Sequence, residues 1–185
     1  METTKTSQEI KPTSPSKSAV AFGVLFGVIM VLEMLVMYAL DIDPTANPMV
    51  GVIINLMNYL FLPVTFILVA CNQYKKKFNH GYISLVDSLK IGVSINAIAA
   101  VIFGVFYFIF VMLFPEYLDD LTAKTVAFME KQNPELTSEQ IEVAVGFQRK
   151  FMEPQFMVPI ALAVYSFIGL IYSLIIGAII KKERP

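Results

Sequence analysis

Four long runs of apolar residues constrain this chain more than any other feature of its sequence. They cover residues 19–40, 49–71, 91–114 and 157–180, and Glu33 is the only charged side chain within them. A helix needs about 20 mostly apolar residues to cross the hydrocarbon core of a bilayer. The chain is 56% apolar and 16% charged, against about 45–50% and 25% in soluble domains. The pattern predicts an all-α, polytopic membrane protein with four transmembrane helices.

The segments outside these runs divide the rest of the chain. Residues 1–18 are polar and lack helical periodicity, so we predict a flexible tail there. The transmembrane domain then covers residues 19–182. Residues 115–156 form the longest connection, between the third and fourth spans, and they predict a two-helix amphipathic insert.

The helices of the insert have recognisable ends. Pro115 and the acids after it are typical of a helix start, and the Asn-Pro pair at 133–134 breaks that helix. The second helix begins at Thr137, which matches a capping box with Gln140, and it ends at Pro154. Apolar stripes are predicted at Leu118, Leu121, Phe128 and Met129 in the first helix and at Ala144, Phe147 and Phe151 in the second. These stripes would pack on each other, on the membrane surface or on a partner.

Lysine and arginine are unevenly distributed between the two sides of the spans. Residues 1–18, 75–90 and 181–184 hold ten of the fourteen, with four acids, for a net charge of +6. Residues 41–48 and 115–156 hold the other four with ten acids, for a net charge of −6. Because cytoplasmic loops carry an excess of lysine and arginine, we predict that both termini are cytoplasmic and that the insert is extracytoplasmic.

The basic residues Lys75, Lys76 and Lys77 lie in the connection between spans two and three, residues 72–82. They are candidate contacts for anionic lipid head groups, and a plain topology signal explains them equally well. A multi-histidine metal site is excluded because His80 is the only histidine, and no cofactor motif occurs. The acidic insert would repel phosphates, so nucleic acid is not an expected partner.

Small residues recur at helical spacing in three of the runs. Such stripes let helices approach closely in lipid, so they predict a tightly packed bundle, either within one chain or between chains. The stripes are Gly23 and Gly27 in the first run, Gly92, Asn96, Ala100 and Gly104 in the third, and Ala161, Gly169, Ser173 and Gly177 in the fourth.

Glu33 has candidate partners at its own depth in every other span. Measured by the helical rise per residue, Glu33 lies about 5 Å from the middle of its span, toward the side of the membrane that carries the insert. Asn55, Asn58, Tyr107 and Tyr165 fall within about 7 Å of the middle on the same side. An unpaired carboxylate in lipid costs several kcal/mol, so these five residues predict an intramembrane polar cluster.

Two interpretations of this cluster remain open. In the structural one, a protonated Glu33 donates a hydrogen bond to Asn55, Asn58 or a tyrosine and determines how the helices pack, and we expect the contact to be with Asn58 or a tyrosine. In the functional one, Glu33 is a proton or cation site in a polar cavity. The structural interpretation is favoured because no second acid and no basic residue lies deep in any span to form a relay.

Residues 80–110, HGYISLVDSLKIGVSINAIAAVIFGVFYFIF, and the Pro-Glu-Tyr at 115–117 resemble a known family. It comprises four-span bacterial membrane proteins, frequent in Bacteroidetes-type bacteria, that are grouped as a domain of unknown function (DUF4199). The shared pattern is a glycine after the basic segment, the entry "ISL…SLKIG", Pro-Glu after span three, and lysines after the last span. The resemblance covers residues 18–182. It implies the four-span fold and an inner-membrane location, and it implies no activity.

The sequence favours a non-enzymatic inner-membrane component that takes part in assembly or binds a partner, either a second copy of the chain or another membrane protein. The stripes of the insert motivate this expectation. The alternative is a small transporter or channel in which Glu33 titrates. A polar, water-accessible cavity that reaches Glu33 favours the alternative, and a sealed bundle counts against it. An enzyme is not expected, because no nucleophile or paired acid and base is visible.

Overall fold

The protein is all-α, as its apolar runs predict. The structure, a computed structural model, describes residues 14–42 and 47–183. Four helices in this part of the chain are long and apolar enough to span a membrane. In chain order the helices are α1 (Pro15–Ala39), α2 (Pro48–Phe78), α3 (Leu85–Leu113), α4 (Glu116–Gln132), α5 (Ser138–Met152) and α6 (Pro154–Ile180). The spans are α1, α2, α3 and α6, and the insert is α4 and α5.

The spans extend beyond the predicted apolar runs. α1 begins at Pro15, so the helix includes the last four residues of the predicted tail, and residues 1–13 lie outside the described part. α2 continues to Phe78, seven residues past the predicted end at residue 71. The reason is that hydropathy marks only the length inside hydrocarbon, whereas a helix ends where its backbone is capped. At Ser14, for example, the side chain accepts a hydrogen bond from the backbone N–H of Lys17.

The predicted capping box at Thr137 is confirmed, and Ser84 forms a second one at the start of α3. Ser84 accepts a bond of 3.0 Å from the backbone N–H of Asp87, whose carboxylate accepts one of 3.1 Å in return. Thr137 and Gln140 make the same reciprocal pair at 3.3 and 2.9 Å. Each box satisfies two of the backbone donors that a helix start leaves without partners. The starts of α3 and α5 are therefore determined locally.

The small-residue stripes of α3 and α6 face each other within one chain. Gly92 lies against Ser173, and a Cβ added to Gly169 would lie 2.6 Å from the carbonyl oxygen of Gly92. Ser88 meets Gly177 one turn further along. α1 packs on another face of α3, where Gly23 lies against Ile98. These contacts confirm the predicted stripes and make α3 the central helix of the bundle.

α2 packs against the bundle along only one half of its length. Within Leu62–Gln73, Pro63, Ile67 and Cys71 are buried, whereas no residue of Pro48–Leu56 is buried. Between the halves lies a π-helical turn, Met57–Phe61. The half toward the insert therefore stands away from the other spans.

The insert packs on the ends of α1 and α3. Tyr117 lies edge-on to Tyr38 with ring centroids 5.9 Å apart, and Lys124 forms a salt bridge of 2.7 Å with Asp41. Arg149 joins α5 to α4 through a salt bridge of 2.5 Å with Asp119. We call this end of the bundle the insert side, and the end that holds Ser14 and Lys181 the termini side.

Of the alternatives left open for the apolar stripe of α5, packing on α4 is not the one observed. α5 buries Ile141 and Val145, whereas the predicted stripe residues Ala144, Phe147 and Phe151 are all exposed. A helix that is apolar on two sides has two possible packed faces, and spacing alone does not say which one meets α4. In α4, Leu118 is buried as predicted, and Leu121, Phe128 and Met129 are half-buried.

The lysine triplet is helical rather than part of a loop, because α2 continues through it in a second π-helical turn, Tyr74–Phe78. Lys75 donates a hydrogen bond of 2.8 Å to the carbonyl oxygen of Ile180, the last residue of α6. The final carbonyls of a helix lack partners within it, and a lysine satisfies one here. Lys76 and Lys77 are exposed and remain candidate head-group contacts.

Lys75→Met is expected to lower the free energy of unfolding by about 1 kcal/mol, because it removes a cap whose partner carbonyl stays half-buried. Lys76→Met is the matched control, since Lys76 is exposed beside it, and it should change stability by no more than a few tenths of a kcal/mol. Denaturant titration in mixed micelles measures both variants. Equal losses in the two would contradict the assignment of Lys75 as a helix cap.

Candidate intramembrane binding cavity

A cavity of about 490 Å³ opens in the insert-side half of the bundle. It exists because Pro48–Leu56 stands away from the other spans, leaving space between α1, α2 and α6. Tyr117, Leu121, Gln148 and Phe151 from the insert line it as well. On the termini side of the cavity the bundle is filled by Phe26, which is fully buried and lies edge-on to Tyr165.

The structure brings the predicted polar cluster together. All five predicted members line this one cavity: Glu33, Asn55, Asn58, Tyr107 and Tyr165. The depth estimate succeeded because helices that cross a bilayer nearly in parallel bring residues of equal depth to the same level. Equal depth does not decide which side chains bond to each other.

Glu33 bonds directly to Asn58. The Nδ2 atom of Asn58 donates to Oε2 of Glu33 at 2.6 Å. The predicted Glu33–Asn58 contact is confirmed, but its direction is the reverse of the predicted one, because the amide donates and the carboxylate accepts. Asn58 is 8% exposed and lies in the π-helical turn Met57–Phe61. Such turns occur frequently at functional sites, because the extra residue redirects the side chains around it.

One buried acceptor in the cavity wall has no partner. The Oδ1 atom of Asn58 is buried and makes no hydrogen bond within the described residues. A buried polar atom without a partner costs about 1–3 kcal/mol. An N–H or O–H donor that enters the cavity would satisfy this oxygen atom. The cavity wall therefore offers a hydrogen-bond acceptor next to the acid Glu33.

The two predicted tyrosines have different roles. The ring of Tyr165 stacks on that of Tyr59, with centroids 5.5 Å apart and an angle of 24° between the planes. Tyr107 instead donates its hydroxyl to the carbonyl oxygen of Met152 at 2.6 Å. That carbonyl is at the end of α5, where helical carbonyls lack partners. Tyr107 therefore anchors the insert to α3 instead of bonding to Glu33.

Sequence reasoning missed part of the lining. Five methionines contribute to the wall, together with Tyr59, Tyr117 and Gln148; they are Met30, Met34, Met37, Met152 and Met157. A hydropathy profile does not distinguish these methionines from the other apolar residues of the spans. The insert residues reach the cavity only through the tertiary fold. Burial raises the pKa of the Tyr117 phenol, and the nearby charge of Lys124 lowers it in part. The phenol therefore stays neutral and able to donate at physiological pH.

The acid in the cavity wall has no basic residue beside it in that wall. Its twenty lining residues include one acid, Glu33, and neither lysine, arginine nor histidine. No group of three or more histidine, cysteine, aspartate or glutamate side chains is placed to hold a metal ion among residues 14–42 and 47–183. The remaining wall is mostly aromatic or aliphatic, and such a site fits an organic molecule with a positively charged end.

These features define a four-span α-helical membrane protein with an acid-bearing cavity in one half of its bundle. A family model matches residues 21–182 of the chain. The chain belongs to this family, which is described as "Protein of unknown function (DUF4199)". Neither the curated proteins nor the solved structures gave a match.

Proposed function

We propose that this protein is a non-enzymatic membrane component that binds a small organic cation in the Glu33 cavity, as a small transporter does. One observation carries the proposal: a carboxylate with no positive partner lines a cavity large enough for a small molecule. The sequence favoured a partner-binding or assembly role, with the transporter as its alternative. The cavity favours the alternative, because it gives Glu33 a space that a ligand can enter.

The size of the cavity supports an organic ligand over a bare ion. Pockets for small molecules have volumes of about 300–1,000 Å³, and this one has about 490 Å³. A bare ion would fill only a small part of that volume. The five methionines suit ligands of variable shape, since their side chains are flexible and polarisable.

The polar groups support a protonated amine. Glu33 supplies a charge opposite to that of the ammonium group, and the free Oδ1 of Asn58 supplies an acceptor for its N–H. The stacked rings of Tyr59 and Tyr165 supply aromatic faces, which attract cations within about 6 Å. The apolar walls would then cover the remainder of the ligand.

The access route supports a transport cycle. Beyond Tyr165, the termini side of the bundle is closed by the fully buried Phe26, Ile95 and Ala99. The cavity is therefore closed toward the termini side, as in one of the two states of an alternating-access transporter. We place the protein in a bacterial inner membrane with both termini cytoplasmic, and the net charges of +6 and −6 on the two sides support that orientation.

Calorimetric titration of the protein in nanodiscs tests the proposal with three probes of one skeleton. We expect phenethylammonium to bind, phenethyl alcohol to bind at least about tenfold more weakly, and phenylacetate not to bind. Glu33→Gln should weaken ammonium binding at least about tenfold, because it removes the charge and keeps the shape. Glu135→Gln, the same change at an exposed position outside the cavity, should have no effect.

The outcomes distinguish ligand binding in general from the selection of ligands by their charge. If the alcohol binds as tightly as the ammonium probe, and Glu33→Gln changes neither, the cavity binds ligands without using its acid. If none of the three probes binds, the proposal fails. Uptake of the bound probe into sealed proteoliposomes then distinguishes a transporter from a binding component that does not transport.

A further inference from the structure

α5 has a second apolar face whose residues are exposed in the described part of the chain. Val143 and Phe147 are 69% and 65% exposed, and Phe151 one turn further is also exposed. At helical spacing, Val143 and Phe147 lie on the side of α5 away from the buried Ile141 and Val145. An exposed apolar face of this kind on a helix marks an interaction surface.

This face is continuous with the lipid-facing surface of α6. The ring of Phe147 contacts that of Phe151 at 4.8 Å, and Phe151 approaches Phe156 at 6.5 Å. Phe156 lies in the first turns of α6, and Ile160 and Phe167 continue the same exposed side of that span. The surface of α6 contacts acyl chains because α6 spans the membrane, so the continuous aromatic row extends the lipid contact onto α5.

The polar residues of α5 suit the same position. Glu139, Glu142 and Lys150 flank the apolar face and are exposed. Helices that lie in the membrane interface bury an apolar face about 5–10 Å into the head-group region and keep charged residues in the aqueous layer. Lysine can extend its charged end to that layer while its stem covers apolar surface.

We propose that α5 lies in the membrane interface on the insert side, with Val143 and Phe147 inserted among the lipids and Phe151 at the border between this face and the cavity. The partner of this face is the bilayer itself. The proposal does not depend on a ligand in the cavity, since it rests on the ring contacts from Phe147 to Phe156 and on the exposed face. It accounts for the aromatic residues that the packing of α4 on α5 leaves uncovered.

The chain contains no tryptophan, which allows a direct test. Phe147→Trp introduces one fluorophore on the proposed lipid face, and the protein is reconstituted with lipids brominated either near the glycerol end or near the methyl end of the acyl chain. We expect blue-shifted emission. We also expect a greater loss of emission with the lipids brominated near the glycerol end (shallow bromines) than with those brominated near the methyl end (deep bromines). Val143→Trp provides a second reporter on the same face, so that a folding defect in one variant does not leave the proposal untested.

Two further tryptophan variants calibrate the measurement. Phe167→Trp reports from the exposed face of a span and should lose more emission to the deep bromines. Gln132→Trp reports from the exposed end of α4 and should emit as a water-exposed residue that bromines do not quench. Unquenched, red-shifted emission from Phe147→Trp and Val143→Trp would overturn the proposal. Unquenched but blue-shifted emission would also overturn it, and would assign the face to a second copy or to another protein.

Discussion

Gly169→Ala is expected to lower the free energy of unfolding by about 2–3 kcal/mol, the cost of forcing extra volume into a well-packed interface. The added Cβ would lie 2.6 Å from the carbonyl oxygen of Gly92 and 3.0–3.1 Å from the side chain of Asn96. Because the nearest atom belongs to the backbone of α3, the two spans must separate to accept it. Small residues at such contacts let helices approach closely in lipid.

Gly146→Ala is the matched control and should have the opposite sign. Gly146 lies inside α5, and a Cβ added there meets nothing within 4 Å. Alanine is favoured over glycine in a helix interior by about 0.5–1 kcal/mol, so this variant should be slightly stabilised. Denaturant titration in mixed micelles measures both variants. If Gly169→Ala were as well tolerated as Gly146→Ala, the close contact between α3 and α6 would be contradicted.

Asn58→Leu is expected to cost about 2–3 kcal/mol of stability, because it removes the hydrogen-bond donor of a carboxylate inside the membrane. Glu33→Leu should cost about 1–2 kcal/mol, since it leaves the buried Asn58 amide without its acceptor. The double variant should lose much less than the sum of the two. Replacing both partners of a buried hydrogen bond with apolar groups leaves no polar group without a partner.

Asn55→Leu provides the control for that cycle. Asn55 lines the same cavity one turn away on α2, but it is exposed. Its replacement should change stability by no more than about 0.5 kcal/mol. Unfolding free energies of the single and double variants give the coupling energy between positions 33 and 58. Additive losses would contradict the structural role of the Glu33–Asn58 bond, and so would a Glu33→Leu variant that is as stable as the parent chain.

The surroundings of Glu33 fit both interpretations of the polar cluster, the structural one and the functional one. Its Oε2 accepts from Asn58, which is the contact that a packing role requires. It also lines a cavity without a positive charge, which is the environment that a cation site requires. Stability measurements on leucine variants and binding measurements on Glu33→Gln address the two roles separately, because glutamine keeps the shape of the side chain and removes only its charge.

The sequence predicts most strongly where the physics is local. The four spans follow from apolar runs, and the starts of α3 and α5 follow from Ser84 and Thr137, whose partners lie three residues away. The stripes of α3 and α6 were also predictable, since small residues at helical spacing form one face. The depth of Glu33 could be compared with that of Asn58 because helical rise is constant.

The sequence predicts poorly where partners are distant or faces compete. Lys75 caps a carbonyl 105 positions away, so the continuation of α2 through the lysine triplet was missed. α5 carries two apolar faces, and the sequence left open whether the one with the phenylalanines packs on α4, on the membrane surface or on a partner, whereas Ile141 and Val145 are the buried residues. Tyr107 bonds to Met152 instead of to Glu33. Each of these results depends on how separate helices approach each other in space.

By itself, the sequence determined that the chain crosses a membrane four times and which residues lie at the depth of the one acid within its apolar runs. Burial in hydrocarbon and hydrogen bonding within a helix are properties of neighbouring residues, so composition and spacing are sufficient for both. Only the tertiary structure decided that Pro48–Leu56 stands apart, that a cavity opens beside Glu33 and that the insert helps to line it. Packing between helices decides these features, because lipid solvates any apolar face and shape complementarity selects which faces meet.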